Sequence, residues 1–131
     1  MENFSTKSEM ENFSLFWTYN CHPQLAQNEL GGMIVWSLLI SALQNYESFE
    51  RQLEKRSLFA MGPETIGALA LINDFEKKQI KPDSAIILTC IGAESEMYTI
   101  QEGRKKDTRI QKAIEKALKD VGNKPYKVDD Y

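Results

Sequence analysis

The sequence predicts an α/β fold with a mostly parallel central sheet and helices on both faces. Three observations lead there. Short apolar runs at residues 14–19, 57–61 and 85–91 have the length and composition of buried strands. Two longer segments with helical patterning separate them, at residues 28–45 and after Gly62. The resulting alternation of strand and helix needs crossover connections, and crossovers build parallel sheets.

Residues 14–19, Ser-Leu-Phe-Trp-Thr-Tyr, open the ordered part of the chain with aromatic and apolar types that suit a buried strand. The helix at 28–45 is apolar almost all round, with Leu30, Met33, Ile34, Val35, Trp36, Leu38, Leu39 and Leu43, so it is expected inside, packed on the sheet. Gly31 and Gly32 weaken its start and permit a close backbone approach there. A polar linker at 46–55 leads to the second strand. Gly62-Pro63-Glu64 then opens a helix, with proline in the first turn and an acid at the positive end of the dipole. Ile66, Leu69, Ala70, Ile72 and Phe75 form its expected buried stripe, and Lys81-Pro82-Asp83 stops it.

Residues 85–91 give the most continuous apolar run, expected as the most buried strand. A short edge strand is expected at 97–100. Asp107 is the expected cap of a third helix carrying Ile110, Ala113, Ile114, Ala117, Leu118 and Val121, closed by Gly122. A last strand is expected at 126–128. The pentapeptide Met-Glu-Asn-Phe-Ser at residues 1–5 recurs at 10–14. That is a local duplication, too short for a repeat architecture, and residues 1–13 are expected to form a flexible tail.

A length of 131 residues suits one domain with a core of its own. The net charge of −3 supplies no attraction for nucleic acid or anionic membrane, so neither is an expected partner. Arg104, Lys105, Lys106 and Arg109 form a local basic cluster, read as a solvated helix entrance. The longest apolar stretch, residues 33–40, is too short to cross a bilayer, and the N-terminal residues do not resemble a secretory signal. A cytoplasmic location is the expectation. Cys21 and Cys90 each end an apolar run and are read as buried free thiols, with no Cys-x-x-Cys spacing to suggest a zinc ribbon.

Ligands of parallel sheets bind beyond the carboxyl ends of the strands. Three junctions qualify: Cys21-His22-Pro23, Gly62-Pro63-Glu64 and Gly92-Ala93-Glu94. An imidazole and two carboxylates on one edge supply the groups of a metal or acid–base site. The bland alternatives are a hydrogen-bonding His22, a Glu64 that serves helix-start electrostatics, and a loop acid at Glu94.

The block Cys-His-Pro-Gln-Leu-Ala-Gln-Asn-Glu-Leu-Gly-Gly at residues 21–32 resembles the metal-site segment of an aminopeptidase-like family in the zinc exopeptidase superfamily. The family form is Cys-His-Pro-x-Leu-Ala-Asn-Asp-Asn-Leu-Ser-Gly. Residues 63–68, Pro-Glu-Thr-Ile-Gly-Ala, are similar to its Pro-Glu-Thr-Ile-Gly-Ser, and residues 87–92, Ile-Leu-Thr-Cys-Ile-Gly, to its Val-Leu-Thr-Cys-Val-Gly. The resemblance spans roughly residues 15–119. It implies a zinc-dependent aminopeptidase fold, with peptide or aminoacyl ligands.

Carried over by position, the resemblance makes His22 a metal ligand and puts Asn28 where relatives carry an aspartate that bridges two ions. It gives Glu64 the role of catalytic carboxylate or metal ligand, and it offers Glu94 one residue beyond a position often acidic in relatives. Glu29 or Glu94 would serve as improvised third ligands. The family also implies a second histidine, and this chain contains one. A neutral amide at Asn28 supplies only a weak donor where an ion pair needs an anionic oxygen. The expectation is therefore a partial domain over residues 14–131 with a degraded site, binding zinc weakly or not at all and catalytically silent alone. Two alternatives accompany it: an enzyme piece completed by a second chain, and a non-enzymatic module for peptide termini or small ligands. An uncovered sheet edge would also invite self-association.

Overall fold

In the computed structural model, residues 13–22, 24–45 and 56–130 are described. The expected tail except Phe13, the linker at 46–55 and Pro23 lie outside the described residues. The chain divides into two compact units, Met1–Gly92 and Ala93–Tyr131.

The first unit is built on strand β1, Phe13–Tyr19, whose alternate side chains go to opposite faces. A wide π-helical turn at Ala26–Leu30 leads directly into helix α1, Gly31–Asn45. Strand β2, Arg56–Gly62, helix α2, Glu64–Lys78, and strand β3, Ser84–Ile87, complete the unit. The three strands are parallel in the order β2-β1-β3. The chain thus crosses first to one side of β1 and then back past it to the other. With right-handed crossovers, that reversal puts the two helices on opposite faces, and the packing agrees. Phe16 and Phe59, neighbours in register, stack and meet Trp36 of α1 edge-on. Phe13 and Leu15, on the other face, pack against Phe75 of α2, with Ala60, Leu71 and Ile80 around them.

Three sequence expectations change here. The strand expected at 85–91 pairs only over Ser84–Ile87 and lies at the sheet edge, with Ile87 exposed. The central, buried strand is β1, because both crossovers flank it. Helix α2 turns only part of its expected stripe inward: Phe75 is buried as expected, whereas Ile66, Leu69 and Ile72 are exposed and Leu71, outside that stripe, packs against the sheet. The reason is Gly67, which lies so close to Gly62 that a Cβ there would stand 3.0 Å from the Gly62 carbonyl carbon. This contact fixes the 67-71-75 line as the inner one. Helix α1 buries Gly32 and Trp36 but leaves Ile34, Val35 and Leu38 exposed, so it is one-sided rather than buried all round.

The second unit is a β-α-β arrangement of its own. Strand β4, Tyr98–Gln101, pairs in parallel with β5, Tyr126–Asp129, and helix α3, Arg109–Val121, connects them. These two strands form a separate sheet, so among the described residues the central sheet has three strands. Thr108, not Asp107, caps α3: its Oγ1 accepts from the Gln111 N–H at 3.3 Å. Asp107 has φ of 55°, outside the extended region a capping residue occupies. Gly122, with φ of 62°, closes the helix as expected. The cluster Arg104, Lys105, Lys106 and Arg109 is exposed throughout.

Helix α1 can begin where it does only because its first residues lack side chains. A Cβ on Gly32 would stand 2.6 Å from the Leu88 carbonyl oxygen and collide with the Thr18 hydroxyl; one on Gly31 would run into the Ile91 carbonyl. Gly32→Ala is expected to destabilise the chain by about 1–3 kcal/mol, the usual cost of overpacking. Gly103 has open space around it, and Gly103→Ala is expected to stay within about 0.5 kcal/mol. Urea denaturation of the two variants checks both values, and equal midpoints would contradict the packing argument.

Candidate metal centre

The carboxyl ends of β1 and β2 are tied together just beyond the last paired residues, where the Asn20 N–H donates to the Gly62 carbonyl at 3.2 Å. That bond sets the loop after β1 beside the start of α2. The backbone N–H of Glu64 accordingly donates to Cys21 Sγ at 3.3 Å. Ligand atoms of Cys21, His22 and Glu64 all fall within 4.8 Å of one another, a spacing that would allow them to share one metal ion. His22 and Glu64, singled out from sequence, are therefore brought together as expected. Cys21, read as a buried thiol, is only half-buried, and Cys90 is exposed. Both are free, and both face this edge of the sheet.

The wide turn supplies the next layer. The Gly31 N–H reaches back five residues to the Ala26 carbonyl, which widens the helix entry. Such turns are rare and concentrate at functional sites. This one presents Asn28 and Glu29. Glu29 is 1% exposed, and its Oε1 lies 3.1 Å from His22 Nδ1 and accepts from Cys21 Sγ at 3.5 Å. Its other oxygen, Oε2, is buried without a hydrogen-bond partner among the described residues. Cys21 Sγ and His22 Nδ1 are 3.1 Å apart.

Asn28 donates from Nδ2 to Cys90 Sγ at 3.4 Å, while its Oδ1 is buried and has no partner among the described residues. The Asn28 carbonyl accepts from Thr89 Oγ1 at 3.1 Å, joining the turn to the chain leaving β3. Cys90 itself has φ of 55°, a strained value for a residue with a side chain. Glu94 belongs to the second compact unit. An open depression of about 490 Å³ lies over the turn, lined by Gln24, Leu25, Ala26, Gln27, Asn28 and Cys90.

Sequence reasoning did not assign Cys21, Tyr19 or Cys90 to the site. The available signal was their position: each ends or follows a strand at the edge where ligands bind. Burial raises the Tyr19 phenol above its ordinary pKa, and the Glu64 carboxylate adds to the rise, followed by Cys21, Cys90 and Glu29.

The profile of the family described as "Domain of unknown function (DUF4910)" matches residues 1–131. The chain belongs to that family. A protein of Clostridium acetobutylicum, whose name refers to polysaccharide biosynthesis and to an aminopeptidase-like domain, is 28% identical over 123 residues. The match takes in 94% of this chain and 27% of the relative, so the chain spans about a quarter of that protein's length. No solved structure matches the chain. The aminopeptidase-like kinship expected from residues 21–32, 63–68 and 87–92 is thus supported for this DUF4910 chain. Among the described residues no helix is long and apolar enough to cross a membrane.

The Tyr19 environment gives a direct check on the assembled edge. Its proton is held more tightly in the folded chain than in the unfolded one. The stability it contributes is therefore complete below the ordinary tyrosine pKa of about 10 and is lost as pH rises through Tyr19's own value. In a chelator-treated sample, a carbon-13 tyrosine NMR titration is expected to show Tyr19 ionising above the ordinary value. Glu64→Gln should lower that pKa without restoring the ordinary one, because burial persists. An ordinary Tyr19 titration in the unmodified chain would contradict this geometry.

Proposed function

We propose that this chain is part of an aminopeptidase-like domain that keeps the elements of a one-ion site, lacks a paired-ion centre, and does not by itself release N-terminal residues from peptides. The observation that carries this reading is the convergence of Cys21, His22 and Glu64 within 4.8 Å at the strand ends. The donor set fits a divalent ion such as zinc, which accepts thiolate, imidazole and carboxylate. It does not fit two ions. Asn28 stands where the family resemblance puts the bridging acid, and its side chain is engaged with Cys90 through Nδ2.

In the aminopeptidase reaction a divalent ion, when bound, polarises the scissile carbonyl. Of this chain's own residues, Glu64 is the carboxylate placed to move a proton or hold the ion. Glu64 opens α2 and is exposed, so it reaches the edge without a desolvation cost. His22 is about half exposed and accessible from the same side. Asn28 cannot supply the second anionic oxygen, and the chain has one histidine, so among the described residues a second ion has no comparable donor set. The reading accordingly assigns zinc a weaker hold than a two-ion centre would give, and places Glu94 outside the essential set.

The open depression beside the turn favours a second reading, in which the domain retains a peptide or aminoacyl ligand without cleaving it. Completion by another chain is the third.

A zinc- and cobalt-supplemented assay over a mixed panel of aminoacyl substrates separates these. The purified chain is expected to show no turnover. Chelator-sensitive turnover by the chain alone, abolished by Glu64→Gln, would overturn the proposal. Turnover only after a second fragment of the domain is added would favour completion by another chain. Saturable peptide binding that survives chelation would favour the binding module.

A further inference from the structure

The one-ion reading leaves Glu29 unexplained. A carboxylate that is 1% exposed is expected to have its oxygens satisfied, since a buried, unpaired charge is strongly disfavoured. Yet Oε2 has no partner among the described residues, and Oε1 has two neighbours that are themselves metal-ligand types. We propose that Cys21 Sγ, His22 Nδ1 and Glu29 Oε1 form three donors to one zinc-class divalent cation, with Glu64 facing them from the start of α2. Glu29 then supplies, one position along the wide turn, the anionic oxygen that Asn28 does not. The proposal rests on the one-ion reading and names its ligands.

The spacing supports this. Tetrahedral zinc with bonds of about 2.0–2.3 Å has donors separated by about 3.3–3.8 Å. The three donor atoms here are 3.1, 3.1 and 3.5 Å apart, within a few tenths of an ångström of one face of that tetrahedron. The chemistry supports it too. A thiolate, an imidazole and a carboxylate suit zinc or cobalt rather than magnesium or calcium, which prefer all-oxygen shells. The Glu64 backbone N–H pointing at Cys21 Sγ is the kind of outer hydrogen bond that steadies a ligating thiolate. Binding would release the Cys21 thiol proton to solvent and leave both electrons of the sulfur donor pair on the new bond. The cation would also neutralise the buried Glu29 carboxylate.

The wide turn gives the arrangement its reach. Placing the acid at 29 rather than 28 moves it along the turn, and the extra residue in the turn keeps it directed at the strand end. His22 and Glu29 are then held by the same short loop, in which the Leu25 N–H donates to the His22 carbonyl at 2.8 Å and the Glu29 N–H to the Leu25 carbonyl at 3.1 Å.

The test is titration of the full chain with cobalt(II) and zinc(II), followed by optical spectroscopy and by competition with a chelator. One ion per chain is expected, with a near-ultraviolet thiolate-to-cobalt charge-transfer band. Cys21→Ser should abolish that band while leaving the chain folded, as read by circular dichroism. Glu29→Gln should weaken zinc by at least the roughly 10–100-fold seen on losing an outer-shell partner. Glu94→Gln should leave both readouts unchanged. An ion bound without the sulfur band, or with an affinity that Cys21→Ser and Glu29→Gln do not alter, would overturn the assignment, as would the absence of binding. Aminoacyl turnover with the band present would refute the inactivity reading and leave this assignment standing. No turnover with the band absent would do the reverse.

Discussion

Everything at the strand ends depends on the close passage of Gly31 and Gly32 over the end of the sheet. Thr18 and Leu88 come from adjacent strand ends, joined by the Thr18 hydroxyl donating to the Leu88 carbonyl at 2.8 Å. The start of α1 crosses directly above that bond, leaving no room for a side chain at either glycine. This fixes where the helix begins. The turn before it must therefore span the distance from β1 in a wide arc, and that arc carries Asn28 and Glu29. A bulkier pair at 31 and 32 would lift the helix and withdraw Glu29 from His22.

The parallel order does the rest. Because β1 lies between β2 and β3, the loops after all three strands open on one edge, the geometry in which open α/β sheets bind ligands. Cys21 and His22 come from the first loop, Glu64 from the second, and Thr89 and Cys90 from the third. The hydrogen bonds Asn20 to Gly62 and Thr89 to Asn28 hold the loops in register. The aromatic cluster of Phe16, Phe59 and Trp36 anchors one face beneath them, and Phe13 with Phe75 anchors the other.

Much of this was legible in the sequence, for physical reasons that can be named. Apolar strands with turn residues at their ends located β1 and β2 closely, and the Gly-Pro-Glu run located the start of α2. The pair His22 and Glu64 followed from strand-end logic. The inner face of α2 was misjudged because that helix is apolar on two sides, and periodicity cannot choose between them. A backbone contact, Gly67 on Gly62, made the choice. Strand β3 looked most buried because it is most uniformly apolar, but burial follows position in the sheet, which composition does not encode. Glu29 was only an improvised ligand in sequence, since nothing there announces a π-helical turn. Cys21 was read as a buried thiol because its contacts with the Glu64 N–H and with His22 appear only once the strands are placed.

The central claim is that the strand-end edge of this fold is a one-ion site with sulfur in its shell, not a residual paired-ion centre. X-ray absorption at the zinc edge of the zinc-loaded chain tests it most directly. The account predicts one sulfur scatterer at about 2.3 Å, nitrogen or oxygen donors at about 2.0–2.2 Å, and no metal–metal vector. A shell of nitrogen and oxygen alone, or a second zinc at about 3.5–4 Å, would contradict it.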